Sequence, residues 1–184
     1  MGHMVQKRDI ALEIILILLS EDRHLREISR MLNISHTTLS RKLDELLNLG
    51  ILDYKIVGKN KLFSLKNNFK TRNVILNAER YKLNLFLEKY PKLNILFDDI
   101  IKITGKHMII LFGSYAKFDS NANSDIDIYI NSSALSLKEK VESLNSKLSV
   151  KLGKFNSDSL LIREIIKNHI ILRGAEEFYE EIFH

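Results

Sequence analysis

The sequence contains no cysteine, which excludes disulfide bridges and metal sites built from thiolates. This absence is typical of proteins in a reducing compartment, so we expect a cytoplasmic location. Tryptophan is also absent, and Pro91 is the only proline. The apolar run at residues 14–19 is far shorter than the roughly 20 residues that a membrane-spanning helix needs. We therefore expect no membrane partner.

Charged residues are unevenly distributed along the chain, whose formal net charge is +5 at pH 7. Most of the excess of lysine and arginine lies in residues 1–70, whereas residues 106–184 are close to neutral. A basic N-terminal segment suits an anionic partner such as DNA. With 45% hydrophobic residues, the 184-residue chain can form one medium domain or two small ones.

Two short helices joined by a tight turn are predicted near the N terminus, after an apolar helix over residues 8–20. Residues 25–32 place leucine and isoleucine on one helical face, at spacings of three and four. Asn33 tolerates the left-handed conformation that a tight turn requires. Ser35 is a suitable N-cap for a second helix over residues 36–49.

A two-stranded hairpin is predicted to follow these helices. Gly50 is suited to end the second helix, and residues 51–57 and 61–65 alternate as two strands around a glycine turn. Helix, helix, turn, helix and a hairpin with a basic tip form the layout of a winged helix-turn-helix. Residues 10–66 resemble that family, in the form used by many prokaryotic transcription regulators.

The resemblance implies a DNA-binding surface on the second helix and on the hairpin tip. In this family the start of that helix enters the major groove, and the tip reaches a flanking phosphate or the minor groove. The DNA-binding residues expected here are Ser35, His36, Thr37, Thr38, Ser40, Arg41, Lys42, Lys59, Asn60 and Lys61. Winged helices also serve as dimerisation or protein-docking modules, and that alternative stays open.

Residues 67–103 carry a helical pattern that is interrupted at Pro91. We expect a long helix that ends near Lys89 and a second helix that begins at the proline, where its missing N–H is tolerated. The long helix is interpreted as a connector and a dimerisation surface, so a homodimer is expected. The second helix is interpreted as a layer covering the following sheet.

The strongest chemical signal lies in the second half of the chain. An apolar run at residues 108–112 predicts a buried strand that stops at Gly113-Ser114. Asp125 and Asp127 then alternate with apolar residues, so both carboxylates should emerge on one face of a second strand. Two adjacent carboxylates repel each other unless a divalent cation lies between them. The glycine lets backbone approach a phosphate closely.

This pattern resembles the signature of the polymerase-beta-like nucleotidyltransferases, and most closely their minimal members from archaea and bacteria. The matching residues are Leu111, Phe112, Gly113, Ser114, Ala116, Ser124, Asp125, Ile126 and Asp127. The resemblance covers residues 106–184 and implies a mixed sheet with flanking helices. Lys117 replaces the usual arginine and keeps its charge. Phe118 replaces the usual glycine, so we expect the turn at that point to differ.

The resemblance also implies a chemistry for these residues. Asp125 and Asp127 would be the catalytic carboxylates and would hold one or two Mg²⁺ ions, while Gly113 and Ser114 would hold the phosphates of an NTP. Lys117 would neutralise charge on the pyrophosphate. The expected reaction transfers a nucleotide, AMP, to a hydroxyl of a protein or nucleic acid. Minimal family members often act as antitoxins, which implies a toxin or other protein partner.

One position departs from the family. Active members usually carry a third carboxylate on the next strand, and Lys151 stands at the corresponding place in the sequence. A lysine there can pair with the aspartates in place of a metal, and Asp158 is an alternative third acid. Two functions stay open: an enzyme that transfers a nucleotide, and a DNA-binding regulator or antitoxin whose second domain senses nucleotide or mediates assembly.

The expected fold class is α+β in three parts. These are a winged helix-turn-helix at residues 4–67, a helical connector at 68–104 and a minimal nucleotidyltransferase-like domain at 105–184. Within the last part, we expect an amphipathic helix over residues 136–148, a strand over 149–155 and a long helix capped by Ser157.

Overall fold

The structure is a computed structural model that describes residues 7–183. These residues form two compact units, of which the first ends at Tyr81 and the second begins at Lys82. Both units combine helices with β-sheet, which confirms the expected α+β class. Positions 4–6 and 184 of the expected domain ranges lie outside the described residues. Between residues 7 and 183, no helix has the length and apolar character needed to cross a bilayer.

The first unit contains the predicted helices and hairpin. Its elements are α1 (Ile10–Ser20), β1 (Arg23–His24), α2 (Leu25–Leu32), α3 (His36–Asn48), β2 (Leu52–Val57), β3 (Asn60–Leu65) and the first part of α4 (Phe69–Lys89). The strands form an antiparallel sheet in the order β1-β3-β2. The short strand β1 was not predicted; its Arg23 pairs with Phe63 of β3.

Local backbone chemistry sets the turn and the ends of α3. Asn33 adopts φ of +51°, and the Ser35 hydroxyl accepts a hydrogen bond from the Thr38 amide at 3.1 Å. Gly50 has φ of +72°, and its amide donates to the carbonyl of Leu47 at 2.9 Å. The next amide, of Ile51, donates to a carbonyl one turn back, as in a Schellman motif. The predicted turn, N-cap and helix end are therefore confirmed.

The second unit is built on a four-stranded mixed sheet in the order β6-β5-β4-β7. After the end of α4, its elements are α5 (Leu93–Thr104), β4 (Ile109–Phe112), α6 (Gly113–Ala116), β5 (Ile126–Asn131), α7 (Leu135–Glu142), β6 (Leu148–Gly153), α8 (Leu160–Lys167), β7 (Ile170–Arg173) and α9 (Ala175–Phe183). Strands β5 and β6 run parallel, whereas β4 is antiparallel to both β5 and β7.

The two faces of this sheet have different neighbours. Ile126, Ile128 and Ile130 of β5 belong to the main core, together with buried residues from α5 and α7. On the opposite face, Tyr129 lies in edge-on contact with Phe155, with ring centroids 6.3 Å apart. The alternation predicted for β5 is therefore confirmed, because successive residues of a strand point to opposite faces.

The predicted bounds of two helices in the second unit were wrong. The helix expected over residues 136–148 ends at Glu142, because the side chain of Asn145 accepts from the Lys147 amide at 2.9 Å and turns the chain into β6. The helix expected after Ser157 begins only at Leu160 and ends at Lys167, after which β7 and α9 follow.

The division into two units falls inside α4. This helix runs from Phe69 to Lys89, so the boundary at Tyr81 lies within the connector expected at residues 68–104. The three-part division at residues 67 and 104 stays a prediction.

Candidate functional site

The turn that follows β4 brings Gly113 close to the carboxylate of Asp127. Antiparallel pairing sets Phe112 opposite Asp127, so the residue after β4 lies beside the aspartate. Gly113 has φ of +72°, a conformation that side-chain-bearing residues rarely adopt. A Cβ at this position would collide with Oδ2 of Asp127 and lie 3.2 Å from its Cγ. Glycine is therefore favoured here by its backbone conformation, and a side chain at this position would also displace the adjoining carboxylate.

The two predicted acids lie at the start of β5. Asp125 directly precedes the strand and is exposed, while Asp127 is its second residue and is half-buried. Ile126 and Ile128 face the core, so Asp127 points to the opposite face. The charge of Asp125 acts on the Asp127 carboxyl, as expected for neighbouring acids.

The environment of Asp127 raises the pKa of its carboxyl above the ordinary value. Burial is the main cause, and a hydrogen bond from the Ser149 hydroxyl opposes it by favouring the charged form. The negative charges of Asp125 and Glu164 raise the pKa further, whereas the positive charge of Lys151 lowers it. Asp125 and the partly desolvated carboxylate of Asp127 together form a site where a cation would be stabilised.

The expected phosphate-binding residues lie in the single turn α6 and just after it. Ser114 is half-buried, and its carbonyl accepts from the Asp119 amide at 3.0 Å. Lys117 is exposed and forms an ion pair with Glu164 of α8, with 3.5 Å between Nζ and Oε1. Sequence reasoning missed Glu164. The polar residues of α8 predict a solvent-facing side of the helix, but they do not indicate that this side lies next to Lys117.

Phe118 keeps a left-handed backbone, with φ of +57°. Its carbonyl accepts from Nζ of Lys89 at 2.6 Å, and its ring lies edge-on to Phe86 at 5.8 Å between centroids. The conformation is the one in which glycine is the usual residue. The phenylalanine is therefore accommodated in this conformation by packing and by the Lys89 contact, and the expected difference from the family's turn stays a prediction.

Within residues 7–183, the β6 residue that pairs with Asp127 is not a third carboxylate. Strand register sets Ser149 beside Asp127 and Lys151 beside Tyr129. Asp158 is 90% exposed and faces Arg163, with 3.6 Å between Oδ1 and Nη2. Within residues 7–183, no cluster of three or more histidine, cysteine, aspartate or glutamate side chains is arranged to hold a metal. The donor set fits one divalent cation better than a pair.

The expected DNA-binding residues lie on α3 and on the β2–β3 hairpin. His36, Thr37 and Arg41 are exposed at the start and along the outer side of α3. Lys42 is paired with Glu45, so part of its charge is already neutralised.

The hairpin tip and the cap of α3 complete this group. Lys59 and Asn60 are exposed at the tip, where Gly58 has φ of +61°, as a two-residue hairpin turn requires. Nζ of Lys61 lies 4.2 Å from the ring centroid of Tyr54. The remaining expected residues are Ser35 and Thr38, which are joined in the N-cap, and Ser40, which is half-buried.

Comparison with protein families matches both units. Residues 98–177 match the family described as polymerase beta, nucleotidyltransferase, and this segment contains Gly113, Asp125 and Asp127. Residues 8–54 match the family described as bacterial regulatory protein, arsR family. The chain carries a polymerase beta-type nucleotidyltransferase domain behind an ArsR-family helix-turn-helix. Both family resemblances drawn from the sequence are confirmed. Searches of curated proteins and of solved structures found no significant match.

The contact between Gly113 and Asp127 of the nucleotidyltransferase domain can be measured by a double-mutant cycle. We expect Gly113→Ala to lower the free energy of unfolding by about 0.5–1.5 kcal/mol more in the wild type than in an Asp127→Ala background, because the Asp127 side chain must leave its rotamer. The backbone strain at position 113 is the same in both backgrounds, so it cancels in this comparison. Chemical denaturation provides the measurement.

The second arm of the cycle repeats Gly113→Ala in an Asp127→Ala background. Only the Asp127 Cβ then remains, 3.4 Å from the new methyl group, which is an ordinary contact. The part of the destabilisation that comes from the Asp127 carboxylate should therefore disappear. Equal effects of Gly113→Ala in both backgrounds would show that the carboxylate does not constrain the glycine.

The raised pKa of Asp127 predicts a pH-dependent effect of Asp127→Asn on stability. A carboxyl whose pKa is higher in the folded state favours folding below its unfolded pKa, and this contribution is lost as pH rises through the folded pKa. Asp127→Asn should therefore stabilise the domain at pH 7, by less than about 1 kcal/mol because solvent screens a half-exposed group. The gain should vanish as pH falls below the folded pKa.

Thermal unfolding from pH 3 to pH 8 measures this difference. Asp98→Asn is the control, because it removes the same charge at an exposed position of α5. A gain for Asp127→Asn that is independent of pH, or shared with Asp98→Asn, contradicts the prediction.

Proposed function

We propose that the nucleotidyltransferase domain binds an NTP with Mg²⁺ at Asp125 and Asp127 and transfers a nucleotide, AMP, to a hydroxyl of a protein or nucleic acid. The observation that carries this proposal is the Asp127 carboxylate lying directly against the Gly113 turn. A carboxylate beside a turn with accessible backbone combines a cation ligand with a place for phosphate.

The residues present suit one Mg²⁺ ion. Asp125 and Asp127 supply carboxylate oxygens, the ligands that Mg²⁺ prefers, and the repulsion between them would be relieved by a cation. When bound, the ion would supply charge neutralisation at the phosphates. Ser114 and the Gly113 backbone would hold the β- and γ-phosphates. Lys117, on leaving Glu164, would neutralise charge on the pyrophosphate.

The proposed reaction is an in-line displacement at the α-phosphorus. The acceptor oxygen forms a bond to this phosphorus, the bond from the phosphorus to the α–β bridging oxygen breaks, and pyrophosphate leaves. The acceptor proton passes to solvent, because no third acid joins Asp125 and Asp127 in a cluster within the part of the chain that the structure describes. Positioning by this chain's residues is thus the main source of catalysis in the proposal.

DNA binding is proposed through the ArsR-type unit. His36, Thr37 and Arg41 would face bases in the major groove, and the hairpin tip with Lys59 and Lys61 would contact phosphates. The exposure of these side chains supports the proposal. A homodimer through the long helix, and a toxin or other protein substrate, stay predictions.

A second function is favoured by one observation, which is that no third acid joins Asp125 and Asp127 in a cluster among the described residues 7–183. In this alternative the chain is a DNA-binding regulator or antitoxin whose nucleotidyltransferase domain binds nucleotide without transferring it. Ser149 and Lys151 supply a hydroxyl and an ammonium group where active members carry an acid. Such a domain would transmit its nucleotide-bound state to the DNA-binding unit, or it would mediate assembly.

A transfer assay separates the two functions. With Mg²⁺ and ATP labelled at the α-phosphate, the enzyme should label an acceptor, and Asp127→Asn should lower labelling at least about 100-fold, since a charge-stabilising ligand is lost. Asp98→Asn should behave as the wild type. ATP binding that depends on Mg²⁺ and Asp127, without transfer to lysate protein, RNA or DNA, would support the regulator. Absence of nucleotide binding would contradict both.

The DNA-binding surface is tested by a charge-matched pair of variants. After selection of a DNA site with the full chain, Arg41→Ala should weaken binding by about 1–3 kcal/mol if the guanidinium contacts a base. Arg80→Ala removes the same charge from an exposed position on α4 and should have little effect. Equal affinities of wild type and Arg41→Ala in a fluorescence-anisotropy titration would point to a docking module instead.

A further inference from the structure

The strand register distinguishes two positions on β6 that share a face with Asp127. Strands β5 and β6 run parallel, and Asp127 pairs with Ser149, whereas Lys151 pairs with Tyr129. Asp125 lies just before β5, so the acidic end of the sheet is the end at which both strands begin. Ser149 lies at that end of β6, and Lys151 lies one side-chain repeat farther from it.

The two side chains also differ in exposure. Ser149 is half-buried and pairs with Asp127 across the two strands, and its hydroxyl lowers the pKa of the Asp127 carboxyl. Lys151 is exposed to solvent. Position 149 thus lies directly beside the residue whose carboxylate would hold a cation, while position 151 lies one side-chain repeat away.

We infer that position 149, rather than position 151, is the place from which β6 contributes to a cation held by Asp125 and Asp127. This inference rests on the proposed function, because it concerns the same cation. The Ser149 hydroxyl is a neutral ligand, so the wild-type site has two negative charges and holds a single divalent ion. The number of charged ligands sets the affinity of such sites.

The inference identifies position 149 as the place where this domain differs from a nucleotidyltransferase domain that has three carboxylates. Lys151 appears at the expected place in the sequence pattern, but the structure puts a serine beside Asp127. Replacing Ser149 with aspartate would set three carboxylates around one point at the acidic end of the sheet. Replacing Lys151 with aspartate would place the third one beside Tyr129.

Binding of Mn²⁺ to the full chain, measured by electron paramagnetic resonance without nucleotide, tests the inference independently of activity. Ser149→Asp should tighten Mn²⁺ binding by about 10-fold or more, and Lys151→Asp by clearly less. The comparison is stringent because Lys151→Asp makes the net charge more negative by two, whereas Ser149→Asp changes it by one. A general electrostatic effect would therefore favour Lys151→Asp.

A second pair of variants covers the case in which Ser149→Asp does not fold. Ser149→Ala removes the hydroxyl and should weaken Mn²⁺ binding several-fold, while Lys151→Ala removes a positive charge and should tighten it slightly or leave it unchanged. Circular dichroism confirms that each variant is folded. Tighter binding in Lys151→Asp than in Ser149→Asp overturns the inference. Where the wild type binds Mn²⁺, an unchanged affinity in Ser149→Ala overturns it as well.

The outcomes separate this inference from the proposed function. If the wild type binds no Mn²⁺ but Ser149→Asp does, the assignment of position 149 stands and the proposed metal-dependent activity fails. If the wild type binds Mn²⁺ through Asp127 but a folded Ser149→Asp variant shows no tighter binding, the inference fails and the proposed function stands.

Discussion

The contact between the Asp127 carboxylate and the Gly113 backbone is the constraint on which the C-terminal site depends. It requires β4 and β5 to pair in one register, a residue without a side chain at the end of β4, and an acid at the second residue of β5. A shift of one residue would turn Asp127 into the core and bring an isoleucine to the site. The buried isoleucines of β5 make that shift costly, so the core holds the acid in place.

The charged carboxylate of Asp127 lowers the stability of the folded domain. Burial and the neighbouring acids raise the pKa of Asp127, which means that its charged form is disfavoured in the folded domain. Functional sites often contain an ionisable group whose surroundings disfavour its charged form. Here that group is the Asp127 carboxylate, which lies beside the positive-φ glycine Gly113. The hydroxyl of Ser149 and the charge of Lys151 partly offset this cost in the absence of a cation.

Sequence reasoning succeeded where neighbouring residues decide the structure. Asn33 at the turn, Ser35 at the N-cap and Gly50 at the helix end act within one or two turns of chain, so their effects can be deduced from sequence. It was less reliable for the extent of α7, where the choice between one more helical turn and an early β6 depends on the sheet. The strand β1 was missed because two residues carry no periodicity.

The sequence by itself determined the fold class, the two family resemblances and the face on which Asp127 lies, because each depends on residue type and on spacing along one element. Only the tertiary structure decided that Ser149 is the neighbour of Asp127 and that Lys117 faces Glu164. Because side chains alternate between the two faces of a strand, sequence spacing places Ser149 and Lys151 on the same face and cannot distinguish them. Their places relative to the aspartates follow from the register between two strands, and register is a property of the packed sheet.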